Sequence, residues 1–103
     1  MIARVWTAEA QGRNGGAYAR FFRGFVKTMR NLPGFEGAQL LRRRVGTTTH
    51  ITVVSYWRSL KSIEAFAGRR VDRAHVEPEA QRLLSRVGRR VQHFEVEHFT
   101  ART

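Results

Sequence analysis

The chain has 103 residues, no cysteine, 42% apolar residues and a formal net charge of +11 at pH 7. This length supports one domain with a single core, and the aromatic content excludes an intrinsically disordered chain. Without cysteine there can be no disulfide framework, thiolate nucleophile or thiolate-bound metal. No apolar run is long enough to span a bilayer, and the first residues lack the order of a signal peptide. We therefore expect a cytoplasmic protein with no membrane partner.

Arginine dominates the basic residues: Lys and Arg together number 19, against 8 Asp and Glu. Clustered basic side chains attract phosphates over long distances. Here the densest runs are short and scattered, at residues 42–44, 69–70 and 89–90. We therefore expect no specific nucleic-acid partner.

The first half of the chain predicts a strand, a helix and a hairpin. Residues 2–8 have β-type composition without a helical period, which indicates a strand. Residues 17–31 place their apolar side chains on one stripe of a 3.6-residue period, which predicts a helix that Pro33 ends. Two strand-like runs follow, at residues 35–44 and 50–58, around a turn at 45–48. The second run is apolar on both faces and predicts a central strand.

The second half predicts a broken helical region and a last strand. Ser59 is a candidate N-cap for a helix over residues 60–67 that Gly68 ends. Residues 69–76 are predicted as a second short helical piece, and Pro78 opens a further helix that Gly88 terminates. Residues 89–99 alternate in the manner of a strand.

The resulting order is βαββαβ, which predicts an α+β fold with a four-stranded antiparallel sheet and helices on one face. A chain of 103 residues has no further helices to cover the other face. A second copy could cover it by two-fold symmetry, so a homodimer is expected.

Four segments carry a resemblance to a known family. They are residues 32–37 (LPGFEG), 54–59 (VSYWRS), 64–66 (EAF) and 93–96 (HFEV). With these segments the chain resembles the antibiotic biosynthesis monooxygenase superfamily. The resemblance covers nearly the whole chain. The resemblance implies a ferredoxin-like protomer, two of which form a dimeric α/β barrel with a pocket in each subunit between sheet and helices. It specifies the fold better than the chemistry.

The resemblance also places Trp57 at the strand-end tryptophan that polyketide-tailoring members carry in their substrate pocket. An indole suits stacking on a planar substrate, and it equally suits closing the end of a core. The asparagine that such enzymes have four residues earlier is replaced by Val53. The quinone-forming assignment is weaker for that reason.

His75 follows Trp57 by the interval at which haem-degrading relatives carry their iron ligand, and a neutral imidazole is a normal axial ligand. Those relatives also use an asparagine on the first strand and a tryptophan on the second helix. The corresponding positions here are taken as Thr7 and Phe66. A histidine beside charged residues is also common in a purely surface role.

No metal site is predicted apart from haem. His93 and His98 are expected on opposite faces of the last strand, where they cannot share a metal ion. His93 shares its face with Glu95 and Glu97, a spacing that suits either a divalent cation or carboxylates that balance arginines across a dimer interface. We favour the second interpretation.

The leading hypothesis is a homodimeric, cofactor-independent monooxygenase that oxidises a small planar aromatic molecule with oxygen. Its predicted pocket residues are Thr7, Phe22, Trp57, Phe66 and His75, with His75 and Trp57 in the catalytic roles. The first alternative is a haem-binding or haem-degrading monooxygenase with His75 on the iron. The second is a non-catalytic small-molecule-binding or stress-related protein of the same fold.

Overall fold

A computed structural model describes residues 1–102 as an antiparallel sheet with helices on one face. In chain order the elements are β1 (Ile2–Gln11), α1 (Asn14–Met29), β2 (Phe35–Val45), β3 (Thr48–Trp57), α2 (Leu60–Ala67), α3 (Pro78–Leu83), β4 (Arg86–Val87) and β5 (Gln92–Glu95). The strand order is β2-β3-β1, and both β4 and β5 pair with the remaining edge of β1. The predicted ferredoxin-like α+β fold is confirmed, with its fourth strand position divided between two short strands.

The register of the two central strands decides which side chains face the helices. β1 and β3 pair along their full length, from Ile2 opposite Trp57 to Gln11 opposite Thr48. Successive side chains alternate between the faces of a strand. Arg4 and Trp6 therefore face the helices, whereas Thr7 faces away from them.

Helix α1 packs the predicted aromatic stripe onto this face. Tyr18, Phe22 and Met29 are buried, and Trp6 and Ile51 meet the stripe from the sheet. Gly15 lies directly against Thr49, so a side chain there would push the first turn of the helix away from β3. The stripe was therefore a correct guide to the core.

The second helix follows its sequence signals closely. The Ser59 hydroxyl accepts a hydrogen bond from the Ser62 N–H at 3.2 Å, which confirms the predicted N-cap. Gly68 ends the helix with φ +89°, a conformation that favours glycine.

The prediction of helix over residues 69–76 is wrong. This segment has no helical structure, because its backbone groups are bonded to other parts of the chain. The Ala74 N–H donates to the Arg89 carbonyl and the Val91 N–H donates to the Asp72 carbonyl, each at 2.8 Å. These bonds tie the segment to the residues that precede β5.

Two further predictions need correction after residue 83. Helix α3 ends at Leu83 rather than at Gly88, and Val87, which lies within the predicted helix, is in strand β4 opposite Ala8. The last strand covers Gln92–Glu95 rather than residues 89–99, so His98 lies outside it. The two-residue β4 takes the part of the β1 edge that residues 89–91 would have used. At the other end β1 begins at Ile2, which already pairs with Glu95, so residues 97–99 have no partner on β1.

No helix within residues 1–102 covers the outer face of the sheet. Leu41 and Phe94 are 47% and 51% exposed there, and Val54 and Tyr56 are half-buried. Phe99, from the C-terminal segment, approaches Tyr56 with ring centroids 6.5 Å apart. An apolar patch of this kind commonly marks an interaction surface.

Among the described residues, no helix has the length and apolar character needed to cross a lipid bilayer.

Candidate functional site

An aromatic cavity lies between α1, the sheet and the segment that joins α2 to α3. Its empty volume is about 620 Å³, including space open to solvent. The lining is mostly apolar, with a few polar side chains, as in small-molecule sites generally. It comprises Arg4, Trp6, Tyr18, Phe21, Phe22, Phe25, Met29, Ala38, Val53, Ser55, Phe66, His75, Val76, Glu77, Ala80 and Val91.

The aromatic rings of α1 form one wall of the cavity. Phe21 and Phe25 stack with their centroids 5.6 Å apart, and Tyr18 packs against Phe21 at 5.8 Å. Burial raises the pKa of the Tyr18 phenol, so the hydroxyl stays protonated at neutral pH and cannot serve as a base. This wall therefore offers flat apolar surface rather than acid–base chemistry.

His75 lies on the opposite wall, in the non-helical segment. Its ring contacts Phe66 edge-on with centroids 5.2 Å apart, and its side chain is 44% exposed. Its Nε2 lies 3.0 Å from Glu77 Oε1. Since an ionised carboxylate only accepts hydrogen bonds, Nε2 carries a proton, and in neutral His75 the lone pair is on Nδ1.

Trp57 supports this wall from behind. It is 0% exposed, it stacks on Phe66 at 5.2 Å, and its indole Nε1–H donates to Ser55 Oγ at 2.9 Å. The stack fixes the plane of Phe66, which in turn contacts His75. Trp57 is one layer behind the cavity surface.

A second, shallower depression adjoins His75 and is lined by arginines; we call it the arginine groove. Its basic residues are Arg73, Arg86, Arg89 and Arg90. Arg86 pairs with Glu9 at 2.6 Å and Arg90 pairs with Asp72 at 3.0 Å. Within residues 1–102, Arg73 and Arg89 form no ion pair, so the groove presents positive charge beside an apolar cavity.

The comparison with known families agrees with this architecture. The family model for antibiotic biosynthesis monooxygenases matches residues 1–78. The chain belongs to this family. The match ends at Pro78, so it includes His75 and most of the cavity lining.

Solved structures of this fold include haem-degrading proteins. MhuD with two manganese protoporphyrin IX molecules per active site is 26% identical, with a TM-score of 0.71 over 98% of this chain and 99% of that chain. The haem degrader MhuD from Mycobacterium tuberculosis with two haems bound is 23% identical, with a TM-score of 0.64 over 98% and 100%. A Deinococcus radiodurans protein named for the monooxygenase family is 10% identical, with a TM-score of 0.65 over 100% and 99%. No curated protein matches the chain.

The structure brings together three of the five pocket residues that were predicted from the sequence. Phe22, Phe66 and His75 line the cavity of this family member. Trp57 backs the cavity, and Thr7 is exposed on the other side of the sheet. On β1 the neighbouring Trp6 takes the inward position, and its indole donates to the Gly88 carbonyl at 2.7 Å.

Sequence reasoning missed two inward-facing residues of β1, Arg4 and Trp6. The signal that could have found them is alternation, because Ala8 and Ala10 on the same face are fully buried. Among residues 1–102, no cluster of three or more metal-ligating side chains occurs.

Proposed function

We propose that this protein binds a planar, carboxylate-bearing macrocycle of the haem type in the aromatic cavity, with His75 as the iron ligand, and oxidises it as a monooxygenase that uses O2 and an external electron donor. The observation that carries the proposal is the position of His75. It lines both the aromatic cavity and the arginine groove. A ligand that contacts this histidine therefore meets flat apolar walls on one side and guanidinium groups on the other.

The donor set fits such a group. A ligating histidine normally donates its second ring N–H to a carboxylate or carbonyl, which fixes the ring and raises its basicity. Glu77 makes this contact with Nε2 of His75 at 3.0 Å. Phe66, held by the Trp57 stack, limits rotation of the imidazole from the side.

The remaining residues would hold the edges and faces of the macrocycle. Phe21, Phe22 and Phe25 offer apolar contact to its faces. Arg73 and Arg89 can bind carboxylates in the paired geometry that guanidinium favours. When bound, haem would supply the iron at which oxygen is activated. The chain's own contribution is to hold His75, orient the ring and exclude water from its apolar faces.

Similarity to MhuD supports the same proposal. The 26% identity extends over almost the full length of both chains, and that protein binds manganese protoporphyrin IX in its active site. The sequence resemblance implies that His75 occupies the position of the iron ligand in haem-degrading relatives and that Phe66 stands where they carry a tryptophan. A smaller ring at residue 66 leaves more space over the site, so we expect a different product or rate rather than a loss of binding.

Haemin titration of the purified protein tests the binding proposal. We expect a sharpened, shifted Soret band that saturates at one or two haemin molecules per chain. Arg89→Gln should weaken binding several-fold by removing one carboxylate partner. The matched control is Arg23→Gln, because Arg23 is an exposed arginine of α1 that does not line either depression. No spectral shift, or equal weakening in both variants, would refute the proposal.

A second candidate function uses the same pocket without a cofactor. The His75 and Glu77 pair has the geometry of a general base with an orienting carboxylate, and it faces a cavity that suits a planar phenol. An electron-rich substrate of this kind can itself reduce oxygen. Oxygen uptake with an anthrone-like phenol, above the protein-free rate and absent in His75→Ala, would favour this candidate.

We also propose that two copies pair through the outer sheet face, on which Leu41 and Phe94 are exposed. Burying this face removes apolar surface from water without requiring a helix. Sedimentation at micromolar concentration should give twice the chain mass of 11.9 kDa. Leu41→Lys should shift the population toward monomer, and a wild-type mass of one chain would contradict the dimer.

A further inference from the structure

A buried arginine on β1 lies at the back of the aromatic cavity. Arg4 is only 5% exposed, yet it contributes to the cavity lining. Its Nη1 donates to the Val71 carbonyl at 2.6 Å and its Nη2 donates to the Arg73 carbonyl at 2.8 Å. Nη1 also lies 2.9 Å from His93 Nε2. Two carbonyls and one imidazole therefore bind a single guanidinium.

This guanidinium has no counter-ion among the residues that the structure describes. Within residues 1–102, none of the ion pairs includes Arg4. Burial lowers the pKa of Arg4 to about 10, so it is still charged at neutral pH. A buried unpaired charge is costly, and the cost is offset here by hydrogen bonds to backbone oxygens. These hydrogen bonds fix the positions of the Val71 and Arg73 carbonyls relative to β1.

The two carbonyls belong to the segment that carries His75. Residues 68–77 contain no helix or strand, so their conformation depends on bonds to other parts of the chain. Arg4 holds this segment from the sheet at Val71 and Arg73, and His75 follows two residues later. The fork of a guanidinium can bridge both carbonyls, whereas the single ammonium of lysine lacks that geometry.

His93 is the third member of the arrangement and makes it sensitive to acid. A guanidinium has only donors, so His93 Nε2 must be the acceptor, and the proton of the neutral ring is on Nδ1. Desolvation first and Arg4 second lower the pKa of His93, and Asp72 partly opposes them. Asp72 itself pairs with Arg90, and Glu95 lies two residues along the same strand.

We propose that Arg4 and His93 form a clamp that positions the His75 segment, and that protonation of His93 releases it. A protonated imidazole has no lone pair left to accept a hydrogen bond from the guanidinium. Acidification thus removes one contact of Arg4 and adds a like charge beside it. Arg4 acts here as a positioning residue for His75. The expected consequence, that acid weakens haem binding, rests on the proposed function. The clamp itself is present in the ligand-free protein.

The direction of the pH effect follows from the lowered pKa of His93. The open segment binds the proton more readily than the clamped one, so the clamp is fully formed above the ordinary pKa of 6.5. The clamp is lost progressively as the pH falls below 6.5 and then through the lowered pKa of His93. A variant at His93 is needed to assign the effect to this residue.

The decisive variant is His93→Gln, because the glutamine amide oxygen can accept from Arg4 and does not titrate. Hydrogen exchange of the ligand-free protein is measured at about pH 7.5 and about pH 5, with each amide corrected for its intrinsic rate. In the wild type we expect the protection of the Ala74 and Val91 amides to fall about tenfold at the lower pH, as for a lost hydrogen bond to a charged group. In His93→Gln the protection should be the same at both values. His98→Gln is the matched control and should behave as the wild type does.

A second arm measures haemin affinity at the same two pH values. Arg4→Lys should raise the Kd about tenfold at the higher pH and make the fold-change in Kd between the two pH values smaller than in the wild type, because the clamp is already broken. Equal loss of protection in the wild type and in His93→Gln, or no loss in either, would overturn the clamp. If the exchange results hold and haemin does not bind, the proposed function fails while the clamp stands.

Discussion

His75→Ala should abolish the shifted Soret band that we expect of the haemin complex. Losing an outer partner of a metal ligand typically costs about 10- to 100-fold in affinity, and losing the ligand itself should cost at least as much. Haemin could still adhere to the aromatic cavity and the arginine groove, so weak binding without the Soret shift is what we expect to remain. The measurement is a titration followed by absorbance, with the fold checked by circular dichroism.

Two further variants sharpen this result. Glu77→Gln keeps the size of the side chain but removes its charge, so we expect affinity to fall by up to about tenfold while the Soret shift persists. His98→Ala removes a histidine that lies outside the cavity lining and should leave the titration unchanged. A haem spectrum that is the same in wild type and His75→Ala would remove the axial-ligand assignment.

Trp57→Ala should strongly destabilise the fold. The indole is 0% exposed and packs with Phe35, Phe66 and Ile63 in the hydrophobic core. Truncating a buried tryptophan to alanine costs about 3–5 kcal/mol through lost transfer energy and the remaining cavity. Urea unfolding followed by circular dichroism measures this change in the free energy of unfolding.

The control for Trp57→Ala is Phe99→Ala, since Phe99 is an aromatic residue that is 64% exposed. We expect that substitution to change the free energy of unfolding by less than about 0.5 kcal/mol. Trp57→Phe should retain most of the stability and bind haemin as the wild type does. A loss of haemin binding in a stable Trp57→Phe protein would show that the indole acts on the ligand directly, in contradiction to its position behind Phe66.

Much of the fold could be predicted because local signals agreed with tertiary packing. The stripe of α1 and the cap at Ser59 are both visible in sequence and both present in the structure. The prediction for residues 69–76 failed because the local sequence contains no sign of the hydrogen bonds that this segment makes with distant arginines. Their conformation depends on Arg4 and Arg89, which lie far from them in sequence.

The site could be predicted only in part for a similar reason. Successive side chains of a strand point to opposite faces of the sheet. An error of one position therefore moves a predicted cavity residue to the opposite face. The choice of Thr7 rather than Trp6 shows this sensitivity. Trp57 illustrates a different limit, because a tryptophan that lines a cavity and one that fills the core look alike in sequence. Its burial could be learned only from the packing of α2 against the end of β3.

Oxygen-dependent turnover of bound haem tests the central claim most directly. The haemin complex is mixed with ascorbate in air-saturated buffer that contains catalase, and the Soret band and released iron are followed together. We predict that the band disappears in the wild type with release of about one iron per haem, and that His75→Ala shows no loss beyond that of free haemin. A Soret band that persists in the wild type, or that decays equally fast in His75→Ala, would contradict the account.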